Sequence, residues 1–391
     1  MNTDSTIRET LMALTTGPVN AYPEVLQALS RPVLYDYDPN FRSFYTSLLR
    51  KAATALDMTE GLPVILQGEP VLALEAVALS ALRTDDVMLN LVNGPYSDGF
   101  GMWARRCCQT VLELRTDFDT IINPDDVRKK LRENPKISVV AVCHHDTPSG
   151  TLNPIDEIGQ IVHDHGAILI VDTVSSFGGV AVSPGSCHAD FFITGPNKCL
   201  GCPPGLSLVA ISAAGWARMH ANPQAPRGSV LSVLDWENVS DPQQPFPYTP
   251  SVSELFGMEA ALDRYLREGP ERVWARHAAT AAACRAGLAA MGLDLWARDP
   301  AFAAPTATVC KLPPGVDDKV LLARMQHDYG VMLSVGRGAT AGKVVRVGHM
   351  GPTAYPLYAV PALAALGGAL KALGHNIMLG EGLAAATLLI K

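Results

Sequence analysis

Between about residue 60 and residue 210, short apolar runs alternate with segments of helical periodicity. The apolar runs are candidate strands at residues 63–66, 87–91, 139–143, 167–171, 191–194 and 207–211, and the helical patterns cover residues 71–82, 125–133 and 155–165. Such alternation predicts an α/β fold, in which a mainly parallel sheet is covered by crossover helices. Ligands of these sheets bind beyond the carboxyl ends of the strands. Glu69, Tyr96, Thr147 and Asp172 all fall at such ends.

A second, smaller α/β unit is predicted towards the C-terminus. A loop rich in Pro and Gln at residues 241–250 precedes a helix predicted at residues 251–268, which would join two lobes. Further helices are predicted at residues 275–291, 317–329 and 357–373, and strands at residues 306–311 and 343–347. The chain has 391 residues, and single cores stop growing near ~250 to 300 residues. We therefore expect a large domain at residues 1–255 and a smaller one at residues 256–391.

The charge balance, the apolar runs and the positions of the cysteines indicate which partners and which compartment to expect. Acidic residues outnumber basic ones by 38 to 31, so the chain offers no basic face to a nucleic acid. Residues 1–9 lack the layout of a secretory signal, and every long apolar run is broken before it reaches bilayer length. The eight cysteines are scattered, as is typical of reduced thiols. We expect a cytoplasmic protein that binds neither nucleic acid nor membrane.

Asp172 and Lys198 form the most informative pair of residues. Asp172 ends the apolar run at residues 167–171, and Lys198 follows a Gly-Pro-Asn turn in a stretch that otherwise lacks charge. A desolvated carboxylate can hold a pyridine nitrogen protonated, and a lysine whose ammonium form is disfavoured offers a nucleophilic amine. A vitamin B6 ring needs both groups. The alternative interpretations are a helix-capping carboxylate and a lysine on the surface.

The sequence around these two residues resembles a known family. Asp-x-Val-Ser-Ser-x-Gly-Gly, beginning at Asp172, and Gly-Pro-Asn-Lys-Cys-Leu-Gly, beginning at Gly195, are similar to the class V aminotransferases, fold-type I enzymes that depend on pyridoxal phosphate. The resemblance runs nearly end to end. It implies a mainly parallel seven-stranded sheet in the large domain, Lys198 as the Schiff-base lysine and Asp172 as the partner of the ring nitrogen.

The resemblance also implies roles for residues that would surround the ring. Tyr96 would stack on one face of the ring, Val174 would pack on the other, and Thr147 would bond near the phenolic oxygen. Arg337 and Arg346 would hold a substrate carboxylate, for which the planar fork of arginine is suited.

A further segment of the family pattern concerns the quaternary structure. Tyr248 and Thr249 resemble residues that reach the site of a neighbouring subunit in this family. The resemblance therefore implies a homodimer or homotetramer whose active sites are shared.

One turn departs from the family pattern. Where most members carry a Gly/Ser/Thr-rich turn that cradles the cofactor phosphate, this chain reads Gln67-Gly68-Glu69-Pro70-Val71. A carboxylate repels a phosphate, and Pro70 lacks the N–H group that another residue would offer. Glu69 is instead suited to accept a hydrogen bond from a hydroxyl group, although it could also serve only as a helix cap.

With this turn, the sequence resembles those members of the family that use the unphosphorylated vitamin as a substrate. It implies transfer of an amino group from pyridoxamine to pyruvate, which gives pyridoxal and L-alanine in the breakdown of vitamin B6. No tightly held prosthetic group is then expected.

Two other interpretations stay open. The first is a conventional aminotransferase of the alanine– or serine–glyoxylate type that keeps pyridoxal phosphate. The second is a catalytically silent relative that binds B6 vitamers. Other chemistries are disfavoured: Cys199 and Cys202 have no second pair at zinc spacing, and His144 and His145 beside Asp146 lack a serine in a nucleophile elbow. No metal site is predicted.

Overall fold

A computed structural model of the chain describes residues 10–390. Residues 1–9, on which the expectation about a secretory signal rests, lie outside the described residues. The strands, in chain order, are β1 (Met12–Ala13), β2 (Val64–Gln67), β3 (Val87–Val92), β4 (Thr110–Arg115), β5 (Ile137–Cys143), β6 (His145–Asp146), β7 (Thr151–Leu152), β8 (Ile168–Asp172), β9 (Phe191–Thr194), β10 (Leu206–Ile211), β11 (Ala307–Lys311), β12 (Val331–Met332), β13 (Ser334–Val335) and β14 (Val344–Gly348). The α-helices are α1 (Pro23–Leu29), α2 (Pro39–Ala55), α3 (Pro70–Ala81), α4 (Pro95–Cys107), α5 (Pro124–Glu133), α6 (Ile155–His165), α7 (Ala213–His220), α8 (Val252–Glu268), α9 (Pro270–Ala290), α10 (Asp318–Tyr329), α11 (Ala359–Ala372) and α12 (Leu379–Thr387).

The large lobe is built around a seven-stranded sheet, which confirms the predicted fold class. The strand order is β2-β10-β9-β8-β5-β3-β4. β10 runs antiparallel to both of its neighbours, β2 and β9, and the remaining pairs are parallel. Six strands therefore end at the same edge of the sheet. The residues that follow β2, β3, β5, β8 and β9 are brought together there.

The central strands are mostly apolar, as is typical of parallel strands whose two faces are both covered by helices. β5, β8 and β9 belong to a hydrophobic core that extends from Tyr22 to Val273 in the sequence. Phe191 and Phe192, which point to opposite faces of β9, are both fully buried. This packing gives the strand ends a rigid support.

A second core organises the C-terminal lobe. It combines residues between Ala283 and Ala386 with Leu14 from the N-terminal segment. β11, β14 and β13 form an antiparallel sheet, and β1 pairs with β12 in parallel. The N-terminal segment is thereby fixed to the small lobe just before it reaches the site. The predicted boundary between residues 255 and 256 lies within α8 and stays a prediction.

α4 and β4, which adjoin one another in the chain, were not predicted from the sequence. α4 contains Gly99 and Gly101, and β4 lies at the edge of the sheet with its side chains partly exposed. Both features weaken the periodicity on which the sequence interpretation depends. Across residues 10–390, no helix combines the length and the apolarity that crossing a bilayer requires.

Candidate active site

The carboxyl edge of the sheet borders a cavity of about 400 Å³. Glu69 follows β2, Tyr96 follows β3, Asp172 ends β8 and Lys198 follows β9. All four side chains line this cavity, together with Val174 and Arg337. Six of the residues predicted from the sequence therefore converge on one site. Three larger cavities, of about 670, 730 and 460 Å³, lie elsewhere in the part of the chain that the structure describes and are lined by none of these six residues.

Asp172 is held at the base of the cavity. One of its oxygens, Oδ1, accepts a hydrogen bond of 2.9 Å from the backbone N–H of Val174. Burial raises the pKa of Asp172 to about 6, although this N–H group and the thiol of Cys143 both favour the carboxylate. Cys143 is the register partner of Asp172 on β5. A cationic ring nitrogen would relieve the cost of ionising Asp172 in this setting.

Lys198 reaches the cavity beneath the N-terminal segment. Its Nζ donates a hydrogen bond of 2.7 Å to the carbonyl oxygen of Thr16, and burial lowers its pKa. Gly17 lies directly against the amine. A Cβ atom at this position would be 1.8 Å from Nζ, and the backbone has a φ of 131°. Only glycine leaves room for the lysine here, which explains how the N-terminal segment can approach it so closely.

Glu69 caps α3 and also faces the cavity. Its Oε2 accepts a hydrogen bond of 2.9 Å from the N–H of Val71, and its carbonyl oxygen accepts one of 2.8 Å from Leu72. Pro70 contributes no N–H group. The first three positions of α3 thus offer no free backbone donor to a phosphate, and a carboxylate is present where the phosphate would need a cation or a donor. A pyridoxal phosphate ester does not fit this turn.

The exposure of Glu69 limits the argument from charge repulsion that the sequence suggested. Its side chain is exposed on the single chain. Solvent therefore weakens any charge repulsion at this turn relative to that of a buried pair. The absence of free donors at the start of α3 is the stronger argument against phosphate.

The two arginines differ in burial but lie close together. Arg346 on β14 is 5% exposed, and its guanidinium donates to the carbonyl oxygen of Val335 and the hydroxyl of Thr147 at 2.8 and 3.1 Å. Both acceptors are neutral, so neither balances the charge. Arg337 is exposed and donates to the hydroxyl of Tyr96 at 3.3 Å. Two guanidinium groups beside the ring of Tyr96 are suited to bind a small carboxylate.

Four predicted residues do not line the cavity of their own chain: Arg346, Thr147, Tyr248 and Thr249. Thr147 is fully buried, and its hydroxyl meets Arg346. Tyr248 packs edge-on against Trp236, with ring centroids 5.1 Å apart. The carbonyl oxygen of Thr249 accepts a hydrogen bond of 2.7 Å from Gln67. The roles assigned to these residues stay predictions.

Several cavity residues were missed at the level of sequence. These are Gly17, Pro18, His145, Ser175 and Asn197. His145 drew attention only as part of a hydrolase-like pair of histidines. The signal that could have identified it is its position two residues after β5, at the same sheet edge as Asp172.

The thiols near the site are structural in character. Cys199 and Cys202 are buried and free, and their Sγ atoms face the backbone oxygens of Ser175 and Gly257. Burial raises the pKa of Cys199 to about 12. Within residues 10–390, no cluster of three or more His, Cys, Asp or Glu side chains is arranged to hold a metal ion.

Comparison with known proteins identifies the family. A family model described as aminotransferase class-V matches residues 73–351, which is more than half of the chain. This chain belongs to the class-V aminotransferases. The match includes the carboxyl edge of the sheet from β3 to β9 and extends into the small lobe.

Among class-V aminotransferases, this chain is similar to a curated protein and to a crystal structure that are both named for pyridoxamine and pyruvate. It is 55% identical to a pyridoxamine–pyruvate transaminase of Mesorhizobium japonicum, over 97% of this chain and 96% of that protein. A crystal structure of the pyridoxamine–pyruvate aminotransferase of Mesorhizobium loti superposes with a TM-score of 0.96 at 55% identity, covering 97% of each chain. The ureidoglycine–glyoxylate aminotransferase of Bacillus subtilis has the same fold, with a TM-score of 0.92 over 96% and 97% of the chains, but at 25% identity.

Proposed function

We propose that this class-V aminotransferase transfers the amino group of pyridoxamine to pyruvate, giving pyridoxal and L-alanine. The observation that carries the proposal is full-length identity of 55% to a transaminase named for these two substrates. The glyoxylate-dependent relative shares the fold at less than half of that identity. Fold alone does not select a substrate, so the geometry of the site must agree with the proposal.

The turn at Glu69 supports the unphosphorylated vitamin as the ligand. The backbone donors at the start of α3 are already used, and the carboxylate can accept a hydrogen bond from the 5′-hydroxyl group of pyridoxamine. The same arrangement disfavours a resident phosphate ester. The vitamin would therefore enter and leave as substrate and product.

Lys198 and Asp172 are proposed as the catalytic residues. The lowered pKa of Lys198 raises the fraction of neutral amine, which can form an imine with the aldehyde carbon of pyridoxal and release water. In the transfer itself, pyridoxamine and pyruvate condense to an imine with release of water, and Lys198 takes a proton from the 4′ carbon of this imine and returns it to the α-carbon of the new amino acid. Asp172 keeps the ring nitrogen protonated, so that the ring can accept the electrons that this proton leaves behind. Lys198 then displaces L-alanine from the 4′ carbon, and water releases pyridoxal from Lys198.

The remaining residues would orient the two substrates. Tyr96 and Val174 would enclose the ring between them, and Arg337 and Arg346 would bind the carboxylate of pyruvate in two-bond geometry. Thr147 would act through Arg346, whose guanidinium donates to its hydroxyl.

We further propose that the site is shared between two copies of the chain. Tyr248 and Thr249 lie beside Gln67, outside the cavity of their own chain. Val33 and Tyr35 are exposed by 71% and 69%, as expected of side chains that a second copy covers. A dimer or tetramer would follow, which sedimentation velocity would measure.

A cytoplasmic location completes the proposal. All eight cysteines are free, and seven of them are buried. Unpaired thiols are typical of proteins that work in a reducing compartment.

The alternative is a conventional aminotransferase that keeps pyridoxal phosphate. The decisive experiment mixes the purified protein, as isolated, with pyridoxamine and pyruvate and follows pyridoxal and L-alanine. Equimolar formation of both products without added phosphate ester supports the proposal. A yellow protein that releases pyridoxal phosphate on denaturation and needs it for turnover would establish the alternative.

A silent binder is separated from an enzyme by Lys198→Ala. A binder would lose little affinity for pyridoxamine and would show no turnover before or after the change. An enzyme would show turnover that this change abolishes.

A further inference from the structure

Thr306 of the C-terminal lobe is bonded to the loop that forms one wall of the cavity. It immediately precedes β11 and is fully buried. Its hydroxyl donates a hydrogen bond of 2.9 Å to the carbonyl oxygen of Ser175, which lies 131 positions earlier in the sequence. Ser175 and its neighbour Val174 line the cavity, whereas Thr306 does not. A side chain outside the cavity thus holds the backbone of its wall.

The carbonyl oxygen of Ser175 depends on Thr306 for its hydrogen bond. Among residues 10–390, no backbone N–H group donates to this oxygen. Its other donor is the thiol of Cys199, a weak donor at a Sγ–O distance of 3.9 Å. Ser175 is buried, so water cannot readily replace the hydroxyl. Because a buried acceptor that loses its donor is costly, removal of the Thr306 hydroxyl should shift the loop.

Such a shift would reach two groups that face the ring. The loop begins at Thr173, whose N–H group and hydroxyl both donate to the carbonyl oxygen of Ile193 on β9, at 2.8 and 3.0 Å. The next N–H group, that of Val174, donates to Oδ1 of Asp172. The large lobe therefore fixes the start of the loop but not Ser175. A displaced Ser175 would move the side chain of Val174 and the donor that orients Asp172.

The methyl group of Thr306 packs against the same loop. A Cβ atom added at Gly179 would lie 2.5 Å from Cγ2 of Thr306 and 2.8 Å from Sγ of Cys199. The two segments can approach this closely only because position 179 has no side chain. The Ser-Ser-x-Gly-Gly part of the motif therefore provides a docking surface for Thr306, with an acceptor at Ser175 and space at Gly179.

The segment that carries Thr306 is itself fixed within the C-terminal lobe. Nη2 of Arg285, on α9, donates to the carbonyl oxygens of Ala304 and Ala307. The backbone N–H group of His349, which follows β14, donates a hydrogen bond of 2.8 Å to the carbonyl oxygen of Thr306. Thr306 is thus a firm support for the loop on the other lobe.

We propose that Thr306 is a positioning residue that acts through the carbonyl oxygen of Ser175. It fixes Val174 against the face of the vitamin ring and Asp172 beside the ring nitrogen. This inference rests on the proposed function and deepens it, because it gives the C-terminal lobe a part in seating the ring as well as in binding pyruvate.

The test compares Thr306→Val, which removes the hydroxyl, with Thr306→Ser, which keeps it. Steady-state kinetics with pyridoxamine and pyruvate give kcat, and calorimetric titration with pyridoxamine alone gives Kd. Thr306→Val should lose about 10-fold in kcat, because a displacement of about 1 Å can cost about 10²-fold and a smaller one is expected here. Its Kd should change by less than about threefold, since Glu69 and Lys198 lie on other segments. Thr306→Ser should keep kcat within about threefold of the wild type.

Thr308→Val is the matched control. Thr308 is 1% exposed, and its hydroxyl lies 2.8 Å from Nε2 of His349, which does not line the cavity. Each valine variant loses one buried hydrogen bond, so both should show a similar decrease in melting temperature. Only Thr306→Val should lose kcat.

A spectroscopic signature separates positioning from stability. Pyridoxal bound in the site acquires circular dichroism from its asymmetric surroundings, and a ring that is held less firmly averages these surroundings. The amplitude per bound ligand should fall in Thr306→Val and stay at the wild-type value in Thr306→Ser and Thr308→Val. If Thr306→Val does not fold, Thr306→Ala and Thr306→Ser, which both lack the methyl group, make the same comparison of the hydroxyl.

Four results would overturn the inference. Wild-type kcat in folded Thr306→Val, or in Thr306→Ala where that variant replaces it, would show that the loop keeps its position without this hydrogen bond. An equal loss of kcat in Thr308→Val would show that Thr306 contributes only to stability. An equal loss in Thr306→Ser would show that the hydroxyl is not the cause. If the wild type neither binds nor converts pyridoxamine, the proposed function itself fails, and this inference fails with it.

Discussion

The two ends of the cavity differ in almost every physical respect. At one end, Lys198 and Asp172 are enclosed by strand ends and by the N-terminal segment, and burial moves the pKa values of both towards their neutral forms. At the other end, Glu69 is exposed and caps a helix. The enclosed end matches the family pattern, whereas the exposed end departs from it. The reaction chemistry and the choice of ligand are thus located on different elements and can be tested separately.

The largest effect is expected at the enclosed end. Lys198→Ala should reduce turnover of pyridoxamine and pyruvate by about 10³-fold or more, because the proton carrier at the reacting carbon is lost. Pyridoxamine binding should weaken by less than about tenfold, since the ring is held mainly by other groups. Single-turnover kinetics and titration measure the two quantities. Lys129→Ala, on an exposed face of α5, should change neither, and normal turnover in Lys198→Ala would contradict the assignment.

Gly17→Ala tests whether the enclosure itself matters. The added methyl group would lie where Nζ of Lys198 now sits, so the amine or the N-terminal segment must move. Displacement of a reacting group by about 1 Å can cost about 10²-fold in rate, and we expect a loss of that order in kcat. Gly185→Ala, at an exposed position with no atom within 4 Å of the added group, is the matched control. Wild-type kinetics in Gly17→Ala would refute the close approach.

Glu69→Ser alters the exposed end and should leave the chemistry intact. Serine removes the negative charge and places a small hydroxyl group, which can also donate, at the start of α3. The ratio of kcat/KM for pyridoxamine over pyridoxamine phosphate should fall by about 10- to 100-fold. Steady-state kinetics with both amines give this ratio, and Glu60→Ser supplies an exposed control. An unchanged ratio would show that ligand choice lies elsewhere.

Asp172→Asn tests how much the buried carboxylate of Asp172 lowers the free energy of unfolding. Because the pKa of Asp172 is raised to about 6 in the fold, this group binds a proton more tightly when folded and destabilises the fold as pH rises from about 4 to about 6. The ligand-free variant should therefore gain about 1–3 kcal/mol in free energy of unfolding above pH 6 and little below pH 4. Urea denaturation at pH 4 and pH 7 measures this difference. Asp85 is exposed, and an equally large gain in the free energy of unfolding of Asp85→Asn would contradict burial as the cause of the effect.

Much of the enclosed end follows from local sequence. Apolar runs ending in Asp172 or followed by Lys198 predicted β8 and β9, since parallel strands that are buried on both faces appear in the sequence as continuous apolar runs. β4 has no such run, because an edge strand mixes exposed and partly buried side chains. Its position beside β3 follows only from the completed sheet.

Long-range contacts account for what sequence reasoning missed. α4 begins where the carboxylate of Asp146 accepts hydrogen bonds of 2.8 and 3.0 Å from the N–H groups of Tyr96 and Ser97, some fifty residues away. This contact supports a glycine-containing helix whose own sequence is unfavourable. The hydrogen bond from Thr306 to Ser175 likewise joins residues that lie 131 positions apart in the sequence.

Titration of the purified protein with pyridoxal and with pyridoxal phosphate, followed by the absorbance of the imine formed at Lys198, tests the central claim most directly. The account predicts that the free vitamin saturates the site and is displaced on addition of L-alanine, whereas the phosphate ester binds at least about tenfold more weakly. Tighter binding of the phosphate ester would contradict it.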